Sequence, residues 1–465
     1  MLRSKHSKNA IFLFSGDIAA RAVGFLITVY LARILGKADF GAMNIGLTLL
    51  TYALLFSNCG LNIFGTRELS ATDDPNSPFA TRLLLTRLGL SLFFFIGLYL
   101  AIPYSGLSDE LIPLLRLYLF YLFPAAIWLD WFFQARQQMG SIMLGRLAGM
   151  LVYLTLVLLL VHSSADLLNT AIAYVSGGVM ASVFFLAAYY KLGYRFHWPK
   201  EGLQPVTMLR NSFVLGIATL ASQLVLQFPV LYLGWTATLE EVGLFSAAFK
   251  LLVMLLIFDR VFYTIFFPAV SKQAANAPEK LAETLNRLLR LAAVFSVSAG
   301  FTAIVLAEPL IGLIFGGPYL EAVPLFQFLT GYFVLTMMNS VVGYTLLALK
   351  REKQYTRAFV IAMTLFFLLL LLWPGKISAH AVAASLMFYQ LLALFLMTLD
   401  LRKLVAVPWL RGIVLPVAAL LACLAVYTYV DGIMQWLLLP IAIAVFITAG
   451  GIDREDMDYV KRTLG

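Results

Sequence analysis

The chain has 465 residues, of which 62% are hydrophobic and 12% charged, and its mean hydropathy is +0.90. Soluble domains are roughly a quarter charged, so the composition excludes a water-soluble globular protein and implies a polytopic membrane protein. The net charge of +9 is accounted for by topology, below, and gives no reason to invoke nucleic acid.

Apolar residues come in blocks of about 20, the length of a membrane-crossing helix and not of the alternating strands of an outer-membrane barrel. The expected fold is therefore all-α, with fourteen spans: 10–32, 41–62, 83–102, 114–133, 145–161, 169–190, 211–235, 244–267, 288–308, 323–349, 358–373, 378–400, 412–430 and 435–450. The first block runs unbroken and contains charges, so it is read as a retained helix and not as a cleavable signal peptide.

Taken in order, span 1 holds Asp17 and Arg21 at i, i+4, which can pair along one face. Arg21 falls roughly 16 Å into the span, near the midplane. Beyond span 2, the stretch GTREL sets Arg67 beside Glu68, either a helix-end cap or a gate closed in one state. Arg87 in span 3 is able to snorkel to the surface, and Asp130 in span 4 lies between Trp128 and Trp131. Span 7 carries Gln223 and Gln227 at i, i+4, together with Pro229, which is expected to kink it and free a carbonyl. Span 8 holds Lys250, Asp259 and Arg260. Adjacent residues diverge by about 100° around a helix, so Asp259 and Arg260 cannot face the same spot. The tail 453–462 reads as a charged, solvated helix.

Positive residues are retained on the cytoplasmic side. Twenty-five of the 33 Lys and Arg residues fall in segments on the side of the N-terminus, Arg146 among them, and three on the other side, so both termini are expected in the cytoplasm. Outer loops are short, which leaves function among the helices. The two cysteines and four histidines show no disulfide or metal-ligand spacing, and no phosphate loop, HExxH or GxSxG occurs. No cofactor, metal or catalytic site is expected.

At an offset of 202, residues 11–70 align without gaps on 213–272 with 12 identities, including Tyr30/Tyr232, Gly41/Gly243 and Phe64/Phe266. Both windows hold two spans joined by a short outer loop ending in a bulky residue and glycine, Phe40-Gly41 and Val242-Gly243. Parallel six-helix repeats would give lobes 1–200 and 201–400, with two extra spans and a charged tail over 401–465, and a cavity walled by spans 1, 2, 7 and 8.

The segments FGAMNIGLTLLTYALLFSNCGLNIFGTREL (40–69), WLDWFFQARQQM (128–139), LYLGWTATLEEVGLFSAAFKL (231–251), FFPAVSK (266–272) and LIFGGPYLEAVPLFQFL (313–329) together resemble polysaccharide exporters of the multidrug/oligosaccharidyl-lipid/polysaccharide superfamily. Within it they are similar to bacterial flippases for O-antigen and other lipid-linked repeat units. The resemblance covers about residues 10–400 and is one of pattern and order. It implies a MATE-like fold, two lobes alternating between inward- and outward-open states, and translocation of an undecaprenyl-diphosphate-linked oligosaccharide across the bacterial inner membrane. It further implies membrane lipids, and a polymerase and chain-length proteins, as partners.

A charge at mid-membrane costs about 2.5–3.5 kcal/mol and normally faces protein or a water-filled cavity. Basic residues within spans outnumber acidic ones, which suits a diphosphate bound by Arg forks and Lys point charges. Arg21, Arg87, Lys250 and Arg260 are the expected diphosphate ligands, with Asp17 orienting Arg21 and with Gln223 and Gln227 offered to sugar hydroxyls. Asp130, Asp259, Arg67, Glu68 and Pro229 are gating or coupling candidates. A peptidoglycan-precursor flippase is an alternative, and so is a cation-coupled drug exporter, which would want an acidic site. A membrane polymerase, an enzyme, would need a sizeable outer loop.

Overall fold

The computed structural model describes residues 2–72, 78–199, 202–276, 280–373, 375, 377–405, 414–430, 432–452 and 456, without the side chains of 2–19, 214–215, 217–222 and 433. The expected Asp17 pairing and most of the charged tail therefore lie outside the described residues. All regular structure among the described residues is helical, as the apolar blocks require. The helices are α1 (Leu2–Asn58), α2 (Leu61–Ser70), α3 (Pro78–Ala101), α4 (Ile112–Leu119), α5 (Leu122–Ile127), α6 (Asp130–Ala135), α7 (Met139–Leu160), α8 (Leu167–Lys191) and α9 (Pro205–Thr236). There follow α10 (Leu239–Asn276), α11 (Leu281–Val305), α12 (Ala307–Ile314), α13 (Val323–Ala348), α14 (Glu352–Leu371), α15 (Ala379–Leu401), α16 (Leu415–Tyr427) and α17 (Ile433–Gly450). Among the described residues, ten helical stretches are long and apolar enough to cross a membrane, and two shorter apolar helices occupy the last two expected spans. Side chains such as Phe93, Leu159 and Leu371 point outward, each more than 60% exposed; in water they would be a liability, in a bilayer they face lipid.

The chain forms two compact units, Met1–Gly243 and Leu244–Gly465. In the first, expected spans 1 and 2 are the two arms of α1, interrupted only at Gly36 (φ 74°, ψ 178°), a conformation open to glycine and strained for other residues. The expected outer loop is thus a one-residue break. Expected span 4 is not one helix but three, α4, α5 and α6. Pro124 removes a donor, the amides of Tyr121 and Trp128 bond three residues back to Tyr118 and Ala125, and Trp128 itself is extended (φ −58°, ψ 126°). Helices α7 and α8 approach backbone to backbone, because a Cβ on Gly149 or Gly177 would meet the other's carbonyl oxygen at 2.7 Å. Small residues permit such approach in membranes, where dispersion replaces the hydrophobic drive. Pro229 sits inside an assigned continuous helix, α9.

The glycines marked by the repeat meet each other. A Cβ on Gly41 would strike the Leu239 carbonyl oxygen, and one on Gly243 the Lys37 carbonyl oxygen. Positions 37 and 239 are themselves related by the 202-residue offset, so the contact maps onto itself. The Lys37 ammonium adds an ion pair with Glu240 at 3.7 Å.

In the second unit α11 packs on α13 and α17, and α15 on α13 and α14. Asp456, expected in a solvated tail, is instead fully buried: its carboxylate binds Arg287 at 2.9 Å and Arg290 at 3.0 Å, both on α11. An acid placed among apolar helices is retained where it finds such partners.

Candidate functional site

Among the described residues of the first unit, two adjoining cavities are formed. The smaller, about 340 Å³, is lined by Arg21 and Gly24 of α1, Arg146, Gly149 and Tyr153 of α7, Tyr174 and Gly177 of α8, and Tyr121 and Trp128 at the two ends of α5. Of these glycines, Gly149 and Gly177 let α7 and α8 close on each other, whereas a Cβ on Gly24 would meet open space. The larger, about 450 Å³, is lined by Thr51, Ser57 and Asn58 of α1, Asn62 of α2, Arg87 and Ser91 of α3, Asp130 of α6 and Gln223 of α9. Tyr121, Trp128, Met150 and Tyr174 line both cavities and form their common wall. Tyr121 and Tyr174 stack with ring centroids 4.6 Å apart, and Tyr153 meets Tyr174 edge-on at 5.1 Å. Aromatic packing of this kind holds a wall rigid.

Charged groups around the cavities are arranged by the break in span 4. Arg87 is buried, and its two terminal nitrogens donate to the carbonyls of Ala125 and Trp128, each at 2.7 Å. Those carbonyls sit where the helix ends, and the guanidinium fork satisfies both. Arg87 therefore does not snorkel; it fixes the turn that presents Trp128 and Asp130. The Asp130 carboxylate accepts the Trp131 amide at 3.0 Å and pairs with Arg146 at 3.2 Å. Trp128 donates from its indole to the Gly178 carbonyl at 3.3 Å.

Of the residues expected from the sequence, Arg21, Arg87, Asp130 and Gln223 line these cavities. Arg21 is exposed and Gln227 half-buried. Arg67 and Glu68 pair with each other at 2.8 Å on the exposed end of α2. Lys250, Asp259 and Arg260 lie on the part of α10 that belongs to the second unit and line neither cavity. There Asp259 hydrogen-bonds to Ser340 while its other carboxylate oxygen, Oδ1, is buried without a partner. Arg146 is a cavity-lining cation that the sequence hid. The count of positive residues places it in a cytoplasmic connection, but α7 begins at Met139 and carries it into the cavity wall. The signal was GRLAG, 145–149, whose glycines mark a helix face pressed on a neighbour.

The profile of the polysaccharide biosynthesis protein family matches residues 7–274. The chain belongs to that family. A relative, the probable low-salt glycan biosynthesis flippase Agl15 of Haloferax volcanii, is 24% identical over 162 residues, 34% of either chain; the match thus spans about a third of that relative's length. Among solved structures, a lipid II flippase MurJ in an inward closed conformation matches with a TM-score of 0.70 at 13% identity, over 94% of this chain and 98% of the other. An inward-facing multidrug resistance MATE family transporter of the MOP superfamily matches with a TM-score of 0.63 at 14% identity, over 85% and 97%. At these identities the likeness is one of fold. This family member is accordingly a multi-pass, all-α membrane protein with the fold of that superfamily.

Proposed function

We propose that the protein is a flippase that carries an undecaprenyl-diphosphate-linked oligosaccharide from the cytoplasmic to the outer leaflet of the cytoplasmic membrane, the inner membrane of a bacterium, by alternating access. The observation that carries this reading is the smaller cavity, where Arg21 and Arg146 stand on a wall otherwise built of aromatic residues, glycine, alanine and one methionine. Arg forks suit the oxygens of a diphosphate, and an environment poor in water strengthens the attraction. Arg87 acts from behind, by fixing the turn at Trp128, and Lys250 and Arg260 are candidate anion ligands of the second unit. Asp17 orients Arg21 in this reading, while Arg67, Glu68, Asp259 and Pro229 serve gating or coupling. The substrate is a surface-polysaccharide repeat unit such as O-antigen, and the polymerase and chain-length proteins that would consume it are the natural partners.

Purified protein in vesicles is expected to move a fluorescent undecaprenyl-diphosphate oligosaccharide between leaflets. Arg21→Ala should slow transfer about tenfold or more, equivalent to about 1.4 kcal/mol of lost stabilisation, while inserting normally. Transfer no faster than in protein-free vesicles would rule the reading out.

A further inference from the structure

We propose that the larger cavity of the first unit is a subsite for uncharged sugars, adjoining the diphosphate subsite at Arg21 and Arg146; this rests on the flippase reading above. Both charged residues on its wall are already engaged, Arg87 with the Ala125 and Trp128 carbonyls and Asp130 with Arg146 and the Trp131 amide. What remains is neutral and hydrogen-bonding. Thr51 and Ser57 donate their hydroxyl protons to the carbonyls of Leu47 and Leu54 in their own helix, so toward a ligand they are acceptors. Asn62 contributes an amide oxygen, Oδ1, that is buried and has no partner. An orphaned buried acceptor costs about 1–3 kcal/mol, and a sugar hydroxyl is the kind of donor that would relieve it. Gln223 of α9 brings a second amide to the same wall.

The common wall matches the covalent order of the ligand. The first sugar of such a substrate is joined directly to the diphosphate, and Trp128, Tyr121 and Tyr174 stand between the two cavities, where ring faces can take the C–H faces of a pyranose. An acidic sugar would find no disengaged cation at Arg87 and would meet the Asp130 carboxylate. The geometry therefore selects a neutral glycan next to the diphosphate.

The test titrates purified full-length protein with two probes, undecaprenyl diphosphate alone and the same lipid bearing an N-acetylglucosamine disaccharide. Asn62→Leu and Gln223→Leu should each weaken binding of the disaccharide probe about tenfold, and that of the sugar-free probe by less than about twofold, on the scale of one buried polar contact. Arg21→Ala should weaken both probes alike. The two amides sit on different helices, so one variant remains informative if the other fails to fold. Equal losses on both probes, or no loss on the disaccharide probe, would overturn the sugar subsite. Wild-type protein that bound neither probe would overturn the flippase reading instead.

Discussion

A guanidinium inside a membrane helix bundle has to be matched donor by donor, and at Arg87 the match is to main chain. Removing it takes the donor from the Trp128 carbonyl and leaves the Ala125 carbonyl with the Trp128 amide alone, at the bend that carries Trp128 and Asp130. Arg87→Ala is expected to lower the unfolding free energy in detergent by about 3 kcal/mol, and Arg87→Lys, which offers a point charge in place of a fork, by about 1 kcal/mol. The measurement is a thermal or denaturant midpoint on solubilised protein. Unchanged midpoints would show that the two carbonyl contacts do not hold the bend. The sequence marked Arg87 as a charge out of place but gave it the wrong neighbours in space. Its partners are carbonyls released by a helix break, and a break of that kind comes from backbone geometry and leaves no charge or polar residue to read. Arg146 was missed for a related reason. The expected span opens at 145, six residues after α7 begins at Met139, so an arginine well inside the helix reads as one at its end, and the Gly149–Gly177 approach shows which way that face of α7 turns.

At the scale of elements, the Gly41–Gly243 contact joins the bend of α1 to the first turn of α10. Each glycine lies against a carbonyl oxygen, which cannot rotate aside as a side chain would, so an added methyl has to move a helix. Gly41→Ala or Gly243→Ala should destabilise by about 1–3 kcal/mol or more, seen as a lower aggregation temperature of the solubilised protein. Gly24→Ala is the control: nothing stands within 4 Å of its added Cβ, and alanine is the better helix former, so its aggregation temperature should hold or rise. Sequence comparison singled out both glycines as repeat markers. It did not reveal that the two positions touch, because an offset records likeness between copies and carries no distances.

For the molecule as a whole, the spans were the most legible feature. Membrane helices are specified by length and apolarity, and neither needs knowledge of a partner. Where the sequence merged or misdrew elements, at the bend of α1 and the three pieces of span 4, the deciding groups were Gly36 and Pro124, local backbone effects inside runs that stay apolar throughout. Orientation makes a separate prediction. With Cys59 and Cys423 replaced by Ala, Leu203→Cys should react with an impermeant maleimide only after cells are opened, as the bias of Lys and Arg requires. Labelling of intact cells would reverse the assigned sidedness. The buried Asp456 has a consequence of another kind, in time. Arg290 is made 166 residues before its carboxylate partner, an interval of roughly 8–33 s at ordinary translation rates. During it, α11 stands in the membrane with an arginine pair still lacking that counterion. The second unit therefore reaches its final arrangement only once residue 456 has left the ribosome, and nascent chains stalled before that point are the ones a membrane protease should recognise.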